Sequence, residues 1–181
     1  MNQLDAIRTL YGYNRWATWQ MIEQSALLSP EEFSFPDDTP FGSIRNELVH
    51  LFDAQWGWLD VCNSSLRGVP RSVPDLIPAD YPDVESVRLL WERVECATDQ
   101  FLSDLSNSDL ERVIDPQFDW GDASAPLWVT LMHLVNHGTQ HRSEIAMKLT
   151  NLGHSPGMVD FIFYYGSREH STDESSTQSE G

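Results

Sequence analysis

The stretch from Asp83 to Leu105, DVESVRLLWERVECATDQFLSDL, decides the fold. Within it Val84, Val87, Trp91, Val94, Thr98, Phe101 and Leu105 follow one another at steps of three and four without a break. That spacing lays one apolar stripe along one side of a helix, and its seven-residue period is the seam of a helical bundle. Asp83 stands where an N-cap belongs. A stripe of this kind needs partner helices, and the flanking sequence supplies them.

Upstream, Pro70, Pro74, Pro78 and Pro82 forbid a continuous helix and predict a long loop across one end of the molecule. Before it, Ser43 caps a second helix with the stripe Ile44, Leu48, Leu51, Trp58, Leu59 and Cys62. Val49, Phe52, Trp56 and Val61 make that helix apolar nearly all round, which predicts burial on several sides or a subunit interface, and hence a homodimer. The first helix covers residues 2 to 27, with Leu4, Ile7, Tyr11, Ala17 and Met21 on its stripe and Asn14 as a polar interruption. Ser29-Pro30-Glu31-Glu32 starts a short helical turn. Downstream, Arg112 to Asp115 and the Trp120-Gly121-Asp122 turn suggest a small hairpin. Pro126 opens a fourth helix that ends at Gly153, and Met158 to Tyr165 forms a last short one. The expected fold is all-α, an antiparallel four-helix bundle with a short extra C-terminal helix over residues 1–166, followed by a disordered acidic and polar tail at 167–181.

A net charge of −17 over 181 residues repels phosphate backbones, so nucleic acid is not the expected partner. No apolar run is long enough to span a membrane, and the N-terminus lacks the pattern of a signal peptide, so a cytoplasmic protein is expected. Cys62 and Cys96 show no CxxC spacing and read as small core hydrophobes. Lys148 is the only lysine. Glycine-rich phosphate loops are absent.

The chemistry lies in the histidines. His133, His137 and His141 stand four apart on the fourth helix, and a four-residue step stacks imidazoles one turn above another. At roughly 100° per residue, His141 points inward with Leu134 and Ile145, His137 lies about 40° aside, and His133 faces nearer to solvent. On the second helix His50 shares a line with Ala54, Gly57 and Val61, small residues that leave room for a ligand. Three neutral imidazoles would suit zinc, nickel or iron and leave coordination positions open.

Two blocks, Leu48-Val49-His50-Leu51-Phe52-Asp53-Ala54-Gln55-Trp56-Gly57-Trp58-Leu59 and His133-Leu134-Val135-Asn136-His137-Gly138-Thr139-Gln140-His141-Arg142, together with Leu152-Gly153-His154-Ser155-Pro156, resemble the DinB/YfiT-like superfamily of metal-binding four-helix bundles. The resemblance implies His50, His137 and His141 as metal ligands, a dimer, and a hydrolase or a thiol-dependent transferase or isomerase. Where the family continues the last His-Arg with Gly-Gln, this chain has Ser143-Glu144. Glu144 lies three residues past His141 and seven past His137, so its carboxylate could reach the ion or act as general base on its water.

The leading expectation is a metal-dependent hydrolase acting on a small molecule through a metal-bound water, with Glu144 as the catalytic base. Its alternatives are a metal-dependent thiol S-transferase or isomerase using a low-molecular-weight thiol, and a non-catalytic dimeric metal-binding stress-response protein. A di-iron centre is disfavoured because Glu47-His50 is the only pair with the spacing Glu-x-x-His.

Overall fold

A computed structural model describes residues 2–116 and 123–167. The expected Trp120-Gly121-Asp122 turn and the tail from 168 onward lie outside the described residues. Four long helices, α1 (Gln3–Ser25), α3 (Ile44–Arg67), α4 (Val84–Asp104) and α5 (Leu127–Asn151), form the bundle, and α2 (Pro30–Ser34) is a short helix between the first two. Residues 161–167 add the expected C-terminal helical segment. The only strands among the described residues, β1 (Val113–Ile114) and β2 (Ala125–Pro126), pair antiparallel with Val113 opposite Pro126.

The ends of the helices are set locally. Asn2, Ser29, Ser43 and Asp83 each accept a backbone N–H of the first turn through their side chains, satisfying donors that a helix leaves orphaned. At the far end of α5, Gly153 adopts φ +87°, and the His154 amide reaches back to the Leu149 carbonyl at 2.9 Å. This is a left-handed cap that a residue without Cβ adopts at no steric cost.

The directions of the helices follow from their cross-links. On α1, Arg8 donates to the Leu102 carbonyl and Arg15 pairs with Glu95 and Asp99 of α4, so these two run antiparallel. Glu47 meets His141 and Trp58 meets His133, so α3 and α5 are also antiparallel. Phe52 stacks on Trp91 and Arg67 reaches Asp104, so α3 and α4 run the same way, as do α1 and α5, joined by Tyr11 with Leu131 and Thr18 with Arg142. The bundle is therefore up-down-down-up.

Two consecutive parallel helices need a long return. At about 1.5 Å per residue the 24 residues of α3 rise about 36 Å, and an extended proline-rich chain at about 3.1 Å per residue covers that distance in a dozen residues. Residues 68–83 do this: Ser72 and Val73 donate to Asp60, and Leu76 donates to Asp53 about two turns further back. The proline segment thus runs back along α3, not across one end as its sequence suggested.

The core is split. One cluster contains Leu4, Ile7, Tyr11, Leu59, Phe101, Leu127 and Leu131, and the other Met21, Leu48, Phe52, Trp91, Ile145 and Leu149. Between them lies a buried polar layer. Arg142 donates to Asn14, Asn14 donates to Gln55 at 2.8 Å, and Gln55 donates to Thr98 at 2.9 Å and to Glu95 at 3.2 Å. A Cβ on Gly138 would fall 2.5 Å from Asn14 Oδ1 and 2.7 Å from the Arg142 guanidinium, so glycine is what lets this layer close.

Most apolar faces of α3 are covered within the chain by α2, α4 and α5, so its all-round hydrophobicity reflects a central position. Cys62 is buried as expected, but Cys96 lies on the outer face of α4 and is exposed.

Candidate metal centre

Two helices build the site. Antiparallel packing sets His50 of α3 opposite His137 and His141 of α5, and one ring-nitrogen ligand atom from each lies within 4.8 Å of the other two. His137 Nε2 and His141 Nε2 are 3.1 Å apart. Two nitrogens each about 2.0–2.1 Å from one ion, at tetrahedral or octahedral angles, lie about 3 Å apart. A hydrogen bond between two imidazoles would give the same distance, but it would need no third ring, and His50 supplies one. Among the described residues the donor set therefore fits one divalent cation.

Partial burial favours the neutral form of the rings. Burial is the main cause that lowers all three pKa values; His137 is pushed to about 4, with His141, His50 and His133 adding repulsion. The neutral form is the one that coordinates metals. Phe41, from the segment between α2 and α3, stacks on His50 with centroids 4.2 Å apart and meets the His141 ring edge-on, closing one side. A cleft of about 160 Å³ lies between Ala54, Gly57, Trp58 and Val61 of α3 and Arg71 to Asp75 of the proline segment; none of the three histidines lines it, so the small-residue line opens toward that segment and not onto the rings. A larger cleft of about 760 Å³ lies beyond Lys148 and Asp37, away from the three rings.

His133 is exposed, with its ring against Trp58. Glu144 sits differently from the three histidines: its carboxylate is 3.8 Å from His141 Nδ1, the nitrogen turned away from His137, and it groups with Glu47 and His141. A hydrogen bond with Glu47 is the largest influence lowering the Glu144 pKa.

Sequence reasoning passed over two residues. Glu47, fully buried, places Oε1 3.4 Å from His141 Nδ1, and Lys148 Nζ lies 2.7 Å from its other oxygen. Burial first, then the contact with Glu144, raises Glu47 to about 7 against the pull of Lys148. The signal was in the sequence: Lys148 continues the steps His137, His141, Glu144 at four, three and four, and Glu47 stands three before His50.

The chain is thus an all-α bundle in which three histidines, converging from two antiparallel helices, could hold a metal ion. A family model described as the DinB family matches residues 1–175, and the chain belongs to that family. Protein DinB of Bacillus subtilis (strain 168) is 25% identical over 158 residues, spanning 86% of this chain and 91% of that protein. Among solved structures, a DinB-like protein from Bacillus cereus ATCC 10987 superposes with a TM-score of 0.60 at 21% identity, covering 88% of this chain and 100% of the other. The DinB-like protein YjoA from Bacillus subtilis gives 0.57 at 16%, covering 85% and 94%. A variant of a mycothiol-dependent maleylpyruvate isomerase gives 0.57 at 13%, covering 80% of this chain and 63% of that one. These structures share the fold. No helix among the described residues is long and apolar enough to cross a membrane.

Proposed function

We propose that this protein is a metal-dependent enzyme in which His50, His137 and His141 hold one divalent cation, zinc, nickel or iron, and that it acts on a small electrophilic molecule through a low-molecular-weight thiol. The convergence of three neutral imidazoles carries this reading. A cation bound there would lower the pKa of a coordinated thiol or water. The residues of the chain do the rest: the histidines fix the donor geometry and Phe41 covers one side of the site. A thiol loses its proton on coordination and needs no protein base, which suits a site whose nearest carboxylates, Glu47 and Glu144, face His141 Nδ1. The structural neighbour described as mycothiol-dependent supports the same chemistry. The hydrolytic reading rests on Glu144, half-buried and one turn beyond His141, as general base. A homodimer would draw on the exposed Trp128, Met132 and Met147 of α5.

The test is metal analysis of the purified protein, followed by cobalt substitution and titration with a simple thiol such as cysteine or glutathione. One ion per chain and a new sulfur-to-cobalt charge-transfer band are expected. No bound ion overturns the proposal; an ion whose spectrum ignores thiols leaves hydrolysis, and Glu144→Gln then loses turnover if Glu144 is the base.

The depressed imidazole pKa values give a second expectation. Protons compete with the cation only where the rings titrate, so the fall in zinc affinity should begin below 6.5, the ordinary imidazole value, and continue to about 4, where His137 protonates. Competition titrations across this range check it; an affinity that falls with a midpoint at the ordinary value would contradict it.

A further inference from the structure

Lys148, the only lysine of the chain, is buried and does not touch the three-histidine group. Its ammonium donates to Thr39 Oγ1 at 2.8 Å and forms ion pairs with Glu47 Oε2 at 2.7 Å and Asp37 Oδ2 at 3.1 Å. Asp37 and Thr39 belong to the segment that carries Phe41 onto His50, so this one side chain ties that segment to α3 and α5. The second oxygen of Glu47 faces His141 Nδ1 at 3.4 Å, a long contact of the kind that tightens when the opposite nitrogen is engaged.

We propose that Glu47 is a positioning residue: it accepts the Nδ1 proton of His141 and so fixes the tautomer whose Nε2 lone pair faces His137 and His50, while Lys148 locks Glu47 in that pose. The inference rests on the metal reading for its purpose but not for its geometry. A neutral imidazole carries one proton, and the tautomer is set by the hydrogen bond the other nitrogen makes. With the proton on Nε2 instead, His141 would offer no lone pair toward His137. Glu47 is three residues before His50 on α3, so a single turn of that helix supplies both one member of the triad and the support for another across the interface. Glu47, His141 and Glu144 by themselves also have the spacing of a cation site. The Lys148 ammonium already balances Glu47 there, so the whole cluster takes one metal ion and not two.

The experiment is nitrogen-15 NMR of histidine-labelled, metal-free protein at about pH 8, where imidazoles are neutral, paired with zinc affinity by chelator competition. In the unaltered chain His141 is expected as the Nδ1–H tautomer. Glu47→Met should shift it toward Nε2–H and weaken zinc binding by roughly 10–100-fold. Glu47→Gln keeps a carbonyl acceptor and should retain the tautomer with a smaller loss of affinity, a rescue that a purely structural role would not produce. Should Glu47→Met fail to fold, Lys148→Met, which frees Glu47 without removing it, is expected to give a mixed tautomer. An unchanged tautomer in Glu47→Met, or two zinc ions per chain, overturns the proposal. If the unaltered chain binds no zinc yet the tautomer still follows Glu47, the metal reading has failed and the positioning has not; if zinc binds and neither readout moves, the positioning has failed alone.

Discussion

His137→Ala is expected to lower zinc and nickel affinity by more than about 100-fold, beyond the roughly 10–100-fold typical of losing a supporting hydrogen bond. The ring supplies the Nε2 that stands 3.1 Å from that of His141. Without it two imidazoles from different helices remain, and the third position opens to water. The variant should fold, because His137 is only half-buried and its neighbours Leu134 and Val135 hold α5 in the core without it. His133→Ala is the control: His133 is exposed and packs against Trp58, so its loss should leave affinity within about twofold, as expected of a surface change. Chelator competition reads both, and the rise in melting temperature that a bound ion confers should persist in His133→Ala and vanish in His137→Ala. The reverse pattern would place the centre one turn nearer the start of α5.

Asn14→Leu is expected to destabilise the fold by about 3 kcal/mol although it puts an apolar residue into a buried position. Asn14 is 1% exposed, and its amide serves two partners at once, accepting from Arg142 and donating to Gln55. Leucine satisfies neither. The guanidinium of Arg142 is deeply buried, desolvation lowers its pKa, and its other contacts are Thr18, Thr139 and the Tyr13 ring. No carboxylate is among these contacts. Removing the amide acceptor thus leaves a buried charge short of a partner, which costs more than the added apolar contact returns. For a chain of this length about 3 kcal/mol corresponds to a fall in melting temperature of roughly 6–12 °C. The double variant Asn14→Leu with Arg142→Met removes charge and acceptor together and should regain part of the loss. Thermal melts that show Asn14→Leu equal to or above the parent would mean the polar layer contributes nothing to stability.

What the sequence determined is what depends on neighbours within about one helical turn. The seam from Val84 to Leu105, the caps at Ser43 and Asp83 and the Gly153 stop are local chemistry, and the helices begin and end where these residues place them. The shared facing of His137 and His141 was legible for the same reason, since a helix fixes which residues share a side. Asn14 was visible as a polar break in an apolar stripe, but its partners Gln55 and Arg142 stand on other helices and could not be named.

The tertiary structure decided everything that depends on how helices face one another. Apolar periodicity is the same whether a neighbour runs up or down, so only cross-links such as Phe52 with Trp91 and Arg8 with Leu102 reveal the up-down-down-up order and turn the proline segment from an end loop into a strap along α3. Glu144 shares a helical side with His141, yet which ring nitrogen its carboxylate meets is set by side-chain torsions and by Glu47 arriving from the opposite helix. Lys148 shares a helical side with His137, His141 and Glu144, but its burial could not be read from that helix alone. Its ion-pair partners Glu47 and Asp37 and its acceptor Thr39 come from α3 and from the segment preceding it, and a buried charge becomes affordable only when the fold gathers such partners around it.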